Sequence, residues 1–207
     1  SGQSFAVFKH FEDDLARTNN VILGGIQTDS AAIEQQLQIV VDHIKAMQIN
    51  TFKGQYKNIR EYNAANTLNP QPYNIVGIMD FPAGFTTKSV DLLQQIVATG
   101  KECGVYAIIM CNTDNVATVD AKIKGQIRNI EDTATVYTLK EKGYYLEENG
   151  KIDENMIFTI DPPMNVQKIV SLAPVMKQGI KDAGRIVIDY KHIAPPKSKM
   201  FKYSSDE

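Results

Sequence analysis

The chain alternates between short apolar runs and longer segments in which apolar residues return every three or four positions, and that alternation predicts strands separated by helices. The clearest strand lies in YNIVGIMDF, residues 73–81, where Tyr73, Ile75, Val76, Ile78 and Met79 are nearly continuous. Such a run suits a central parallel strand covered on both faces. A second run, VYAIIMC at 105–111, opens after Gly104. Between them Pro82 and Gly84 make a turn, and Val90, Leu93, Ile96 and Val97 recur at helical spacing until Gly100 stops the helix. Strand, helix and strand in this order predict a right-handed crossover between parallel strands.

Upstream, NVILGGI at 20–26 reads as a further strand. Thr28, Asp29 and Ser30 supply N-cap oxygens, and Ile33, Leu37, Val40, Val41, Ile44 and Met47 predict a helix over 30–48. After a break at Asn50–Gly54, NIREYNAAN at 58–66 reads as a short helix, stopped by Pro70 and Pro72. Residues 5–18, with Phe5, Val7, Phe8 and Phe11, predict a loop or helical turn packed by its aromatics. Downstream, 121–132 is polar and weakly periodic, 133–139 reads as a strand, and 143–160 as an edge hairpin turning at Asn149-Gly150. A helix over 165–183, bent or interrupted near Pro174, stops at Gly184. The fold class expected is α/β, a mainly parallel sheet with helices on both faces and a small edge hairpin, over residues 1–185, with 186–207 as a linker or tail.

Composition narrows the function classes. The 207 residues are 43% hydrophobic and 22% charged, with a net charge of -2, so no broad basic surface for nucleic acid is expected. No apolar run approaches the roughly 20 residues that span a bilayer, and a cytoplasmic location is the default expectation. The opening Ser-Gly, without methionine, suggests a tag scar or a cut within a longer polypeptide. Cys103 and Cys111 lack CxxC spacing and read as free, buried thiols, while His10, His43 and His192 are scattered without partner spacing, so no metal site and no catalytic residue is assigned.

Candidate chemistry concentrates at strand ends. Asp80 follows the first strand directly, where open α/β sheets bind ligands, and an apolar strand ending in Asp has the form of a Walker B motif. The alternative is a cap for the turn into the next helix. Asn112-Thr113-Asp114 occupies the equivalent end of the second strand. Lys122, Lys124 and Arg128 form a local basic cluster, too few charges for strong DNA contact. Glu147, Glu148, Asp153 and Glu154 flank the hairpin turn and read as a solvated, charge-protected edge. Ser89 and Ser171 read as capping or solvent-facing, with no adjacent histidine.

These pieces resemble the motor domain of FtsK/SpoIIIE-type translocases, a RecA-like ATPase family with the P-loop NTPase fold. The likeness rests on the strand and long helix of 20–48, the NIREYN segment, the strand ending in Asp80, and GKECGVYAIIMCNT at 100–113, in matching order over 20–185. The resemblance implies that Asp80 takes the place of the Walker B aspartate that supports Mg²⁺ and that Asn112 stands near a polar sensor. Arg128 is a candidate arginine acting in trans across a subunit boundary, as ring ATPases use, the alternative being a solvated side chain in a polar segment. Two departures stand out: no GxxxxGK[ST] loop occurs, and Phe81 replaces the usual catalytic glutamate. The expectation is a fragment of a DNA translocase or segregation ATPase, inactive alone. ATP and Mg²⁺ would serve the parent protein and not bind this chain tightly. Its partners would be neighbouring modules or subunits of the motor, with DNA in the intact assembly, and a membrane-associated parent protein is compatible with the resemblance. The alternative is a non-catalytic interaction or regulatory module of the same fold, as in a type VII secretion ATPase.

Overall fold

The computed structural model describes residues 25–148, 150–162 and 165–183. The predicted turn at 5–18, most of the strand at 20–26, Asn149 of the hairpin turn, Gly184 and the tail lie outside the described residues. Gly25 and Ile26, the described end of that predicted strand, are not in a strand.

Helix α1 (Ser30–Ala46) begins where Asp29 accepts hydrogen bonds from the amides of Ala31 and Ala32, the cap expected from sequence. Its stripe buries Leu37, Val41 and Ile44. The predicted break at Asn50 is displaced: a π-type turn carries the helix through Met47–Phe52, and Lys53, at φ 51°, ends it. Burial of Met47 and Phe52 outweighs the poor helix propensity of Asn50 and Thr51. Helix α2 (Ile59–Ala65) is capped by Asn58 and buries Ile59.

Strand β1 (Asn74–Phe81), helix α3 (Thr87–Thr99) and strand β2 (Val105–Cys111) form the expected crossover, with β1 and β2 paired in parallel. Val76, Ile78, Val105, Ala107 and Ile109 share the face on which the helices pack. α3 spans both halves of the core, since Leu92 and Ile96 join a cluster with α1 while Val90 and Leu93 join one with α5 (Ala121–Glu131). Between β2 and α5 lies one short helix, α4 (Thr113–Thr118). The polar segment 121–132 thus proves to be an amphipathic helix, capped by Asp120 and burying Ile123, Ile127 and Ile130.

Three expectations are corrected. The parallel sheet is not covered on both faces by the described residues: Ile75 is 69% exposed, and Tyr106, Ile108 and Met110 share that open side. Among the described residues the strands are not mainly parallel. β3 (Val136–Lys140), β4 (Gly143–Glu148) and β5 (Lys151–Phe158) form a separate antiparallel sheet, ordered β3-β4-β5, where an edge hairpin of the parallel sheet was expected. Helix α6 (Val166–Ala183) contains Pro174, so of the two alternatives expected there, bent or interrupted, the interruption is not found. The fold is therefore mixed α/β, with a two-stranded parallel and a three-stranded antiparallel sheet among the described residues.

Cys103 is buried as expected and its thiol points at the carbonyl of Ile44, whereas Cys111 is exposed; both are free. No described helix is long and apolar enough to cross a membrane.

Leu93 is 0% exposed, so Leu93→Ala is expected to cost about 2–5 kcal/mol in urea denaturation, whereas Ile75→Ala on the open face costs under about 1 kcal/mol. A thiol reagent should titrate one cysteine in the native protein and two in denaturant.

Candidate functional site at the carboxyl edge of the parallel strands

Asp80 sits at the carboxyl end of β1 in the left-handed region, at φ 59°, a conformation that aspartate tolerates better than most residues. The register explains why. Ile78 pairs with Ile109 and Phe81 with Cys111, so β1 carries one more residue than β2 across this interval. That bulge returns Phe81 to the buried face while Asp80 remains half-exposed at the edge. Phe81 is 2% exposed and meets Phe85 edge to face at 4.9 Å. The peptide bond from Phe81 to Pro82 is cis.

Asn112 ends β2 beside it. Its backbone amide donates to the carbonyl of Phe81 at 2.8 Å, continuing the pairing by one bond, and its side-chain oxygen caps α4 through the amide of Asp114 at 3.0 Å. Its Nδ2 donates to Asp80 Oδ1 at 2.9 Å. Asn115, inside α4, donates its own Nδ2 to the same oxygen at 3.2 Å. The strand-end aspartate and the sensor-like asparagine named from sequence are therefore bonded to each other. Asn115 was missed, because one asparagine in a short polar helix carries no periodic signal; its only trace was its place three residues beyond the cap.

The carboxylate chemistry at Asp80 suits a divalent cation, but its arrangement does not. Mg²⁺ sites combine one or two carboxylates with waters and substrate phosphates. A carboxylate oxygen offers two lone pairs, and two amides already engage Oδ1. No cluster of three or more His, Cys, Asp or Glu occurs among the described residues. The donor set as it stands does not fit a tightly held Mg²⁺, and the chain contains no Gly-rich Lys loop for the phosphates.

Arg128 is exposed near the end of α5, where its charge favours ionisation of Glu131 on its own helix. Lys124 donates to the carbonyl of Ala117. Among the hairpin carboxylates, Glu147 accepts from Thr138 at 2.6 Å and Glu154 pairs with Lys140 at 3.5 Å, while Asp153 accepts from the backbone amide of Asn155. Ser89, fully buried, shares a reciprocal capping box with Thr86 at the start of α3, and exposed Ser171 donates to the carbonyl of Lys168. Gln126 is buried and donates to Asp91 and to the carbonyl of Thr87. A shallow cleft of about 480 Å³, lined by Asn58, Arg60, Glu61, Lys101, Glu102 and Tyr106, lies at the opposite end of the strands.

Comparison with protein-family models, with curated proteins and with solved structures finds no match for this chain.

Although Glu131 is exposed, partial desolvation, and then the neighbouring Glu147 and Asp132, push its carboxyl above the usual range, with Arg128 opposing. A raised carboxyl costs stability above its folded pKa, and the cost vanishes below the unfolded value. Glu131→Gln should therefore raise the melting temperature at pH 7, and the gain should close as the pH falls below about 4.

Proposed function

We propose that this chain is a module of an FtsK/SpoIIIE-type motor whose nucleotide site has become degenerate, serving within a DNA translocation or segregation assembly without hydrolysing ATP itself. The observation that supports the reading is the hydrogen bond from Asn112 to Asp80 across the carboxyl ends of two parallel strands joined by a helical crossover. It unites the two residues that the resemblance assigns to the Walker B carboxylate and the polar sensor. Degeneracy follows from Phe81, whose ring is committed to the core and cannot polarise a water, where general-base assistance is worth about 10² to 10⁴ in rate.

A second reading, a non-catalytic interaction module of the same fold, is favoured by the same buried Phe81, since the position that bears the acid in the family is here part of the packing. ATP and Mg²⁺ then belong to neighbouring modules.

Titration of a fluorescent ATP analogue with Mg²⁺ separates the two. The degenerate-site reading expects saturable binding no tighter than about 10 μM, roughly -7 kcal/mol, weakened at least threefold by Asp80→Asn, with no turnover. Tighter binding with phosphate release would overturn the degeneracy. Absence of binding, or binding indifferent to Asp80→Asn, would overturn the nucleotide assignment in favour of the interaction module. Asparagine is the right replacement because it keeps an acceptor for Asn112 and Asn115 and tolerates the left-handed backbone, whereas alanine does neither.

A further inference from the structure

The open face of the parallel pair is apolar along its length. Ile75 and Gly77 on β1 stand beside Tyr106 and Ile108 on β2, Met110 follows, and Tyr73 neighbours Tyr106 with ring centroids 6.3 Å apart. These five large side chains are each 39–69% exposed, and no charged residue interrupts them. Charges begin at the amino end, in the cleft that holds Arg60, Glu61, Lys101 and Glu102. An apolar centre with a polar margin is the anatomy of a protein interface, and parallel strands are ordinarily covered on both faces.

Gly77 indicates how a cover fits. A glycine inside a strand marks a bulge, a special backbone conformation or a close approach by another group. The register is regular at Gly77, its φ is not in the left-handed region, and a Cβ there would meet nothing within 4 Å among the described residues. What remains is an approach from outside. Ile108, 60% exposed, is its register partner, so a hole and a knob lie side by side on one face.

We propose that two copies of this chain associate through this face, about a two-fold axis running parallel to the strands between β1 and β2. That axis sets Ile108 of each copy over Gly77 of the other and Ile75 over Tyr106, so every contact is made twice. Sheets packed face to face stand about 10 Å apart, close enough for their side chains to interdigitate. Each face exposes on the order of 500 Å² of apolar side chain, the upper end of what a monomer leaves open, and two together bury on the order of 1,000 Å², the least that a specific interface needs. The dimer is accordingly weak, with a dissociation constant of roughly 10–100 μM.

Sedimentation equilibrium of the full chain from about 1 to about 300 μM tests this, with folding followed by circular dichroism. The mass should rise from monomer to dimer and go no further. Ile108→Asp should weaken association at least tenfold. Gly77→Val should weaken it at least fivefold while leaving the melting temperature of the dilute protein unchanged or higher, because valine favours a strand and a Cβ at this position meets nothing in the monomer. Leu139→Asp, at a similarly exposed position on the antiparallel sheet, should leave association unaltered. A wild-type chain that stays monomeric throughout that range overturns the proposal and leaves the face to residues 1–24, to residues 184–207 or to a different protein. Growth beyond a dimer overturns the two-fold arrangement. Association that ignores Gly77→Val, or that responds equally to Leu139→Asp, places the contact elsewhere and overturns the proposal as well. Should Ile108→Asp fail to fold, Gly77→Val decides alone.

Discussion

Parallel pairing of β1 with β2 is the constraint on which the described core depends. A hairpin cannot join parallel strands, so the chain must leave the end of β1, travel back and re-enter beside its start. α3 makes that return worthwhile because its apolar stripe faces the sheet, with Val90 and Leu93 fully buried and Ile96 nearly so. The re-entry is tight. A Cβ on Gly100 would stand 2.7 Å from the carbonyl oxygen of Val105, and one on Gly104 would stand 2.4 Å from Ile59. Glycine at position 100 lets the helix end close against the strand it delivers, and at Gly104 it leaves room for Ile59 of α2 and permits the φ of 76° that the turn requires.

What could be read from sequence was whatever one element settles alone. The stripe and cap of α1, the crossover, and the pairing of 143–148 with 151–158 all follow from periodicity and turn chemistry. α5 was legible in principle, as Ile123, Ile127 and Ile130 keep helical spacing, but Lys122, Lys124, Arg128 and the glutamine between them masked the stripe. Which face of β1 is open was not legible. Ile75 and Val76 are equally apolar, and nothing local tells the exposed side chain from the packed one. The order of strands in a sheet is a tertiary fact of the same kind, and the detachment of the antiparallel strands from the parallel pair left no mark in their alternation.

At the candidate site the sequence located the carboxylate and the asparagine but not the device that orients them. Strand residues alternate sides, so without an extra residue Ile78 and Asp80 would share one face and Phe81 would take the other. The bulge reverses that outcome, drawing Phe81 beside Ile78 in the core and leaving Asp80 at the rim. The buried ring at position 81 and the half-exposed carboxylate at position 80 therefore owe their opposite environments to one irregularity in register.

The start of α3 carries a consequence for anions. The first turn of a helix is ordinarily a place where a phosphate can be received on free amides. Here the hydroxyl of Thr86 takes the amide of Ser89, Ser89 takes that of Thr86, and Thr86 also donates to Glu34, whose carboxylate pairs with Lys88. The hydrogen bond from Thr86, and then Lys88, hold the Glu34 carboxyl below its usual range. The Glu34 carboxylate and the Lys88 ammonium thus offset each other over the end of α3 that follows Asp80 in the chain, while the capping box engages the amides of Thr86 and Ser89. An anion arriving at this helix end therefore meets a lysine already paired and backbone donors already satisfied.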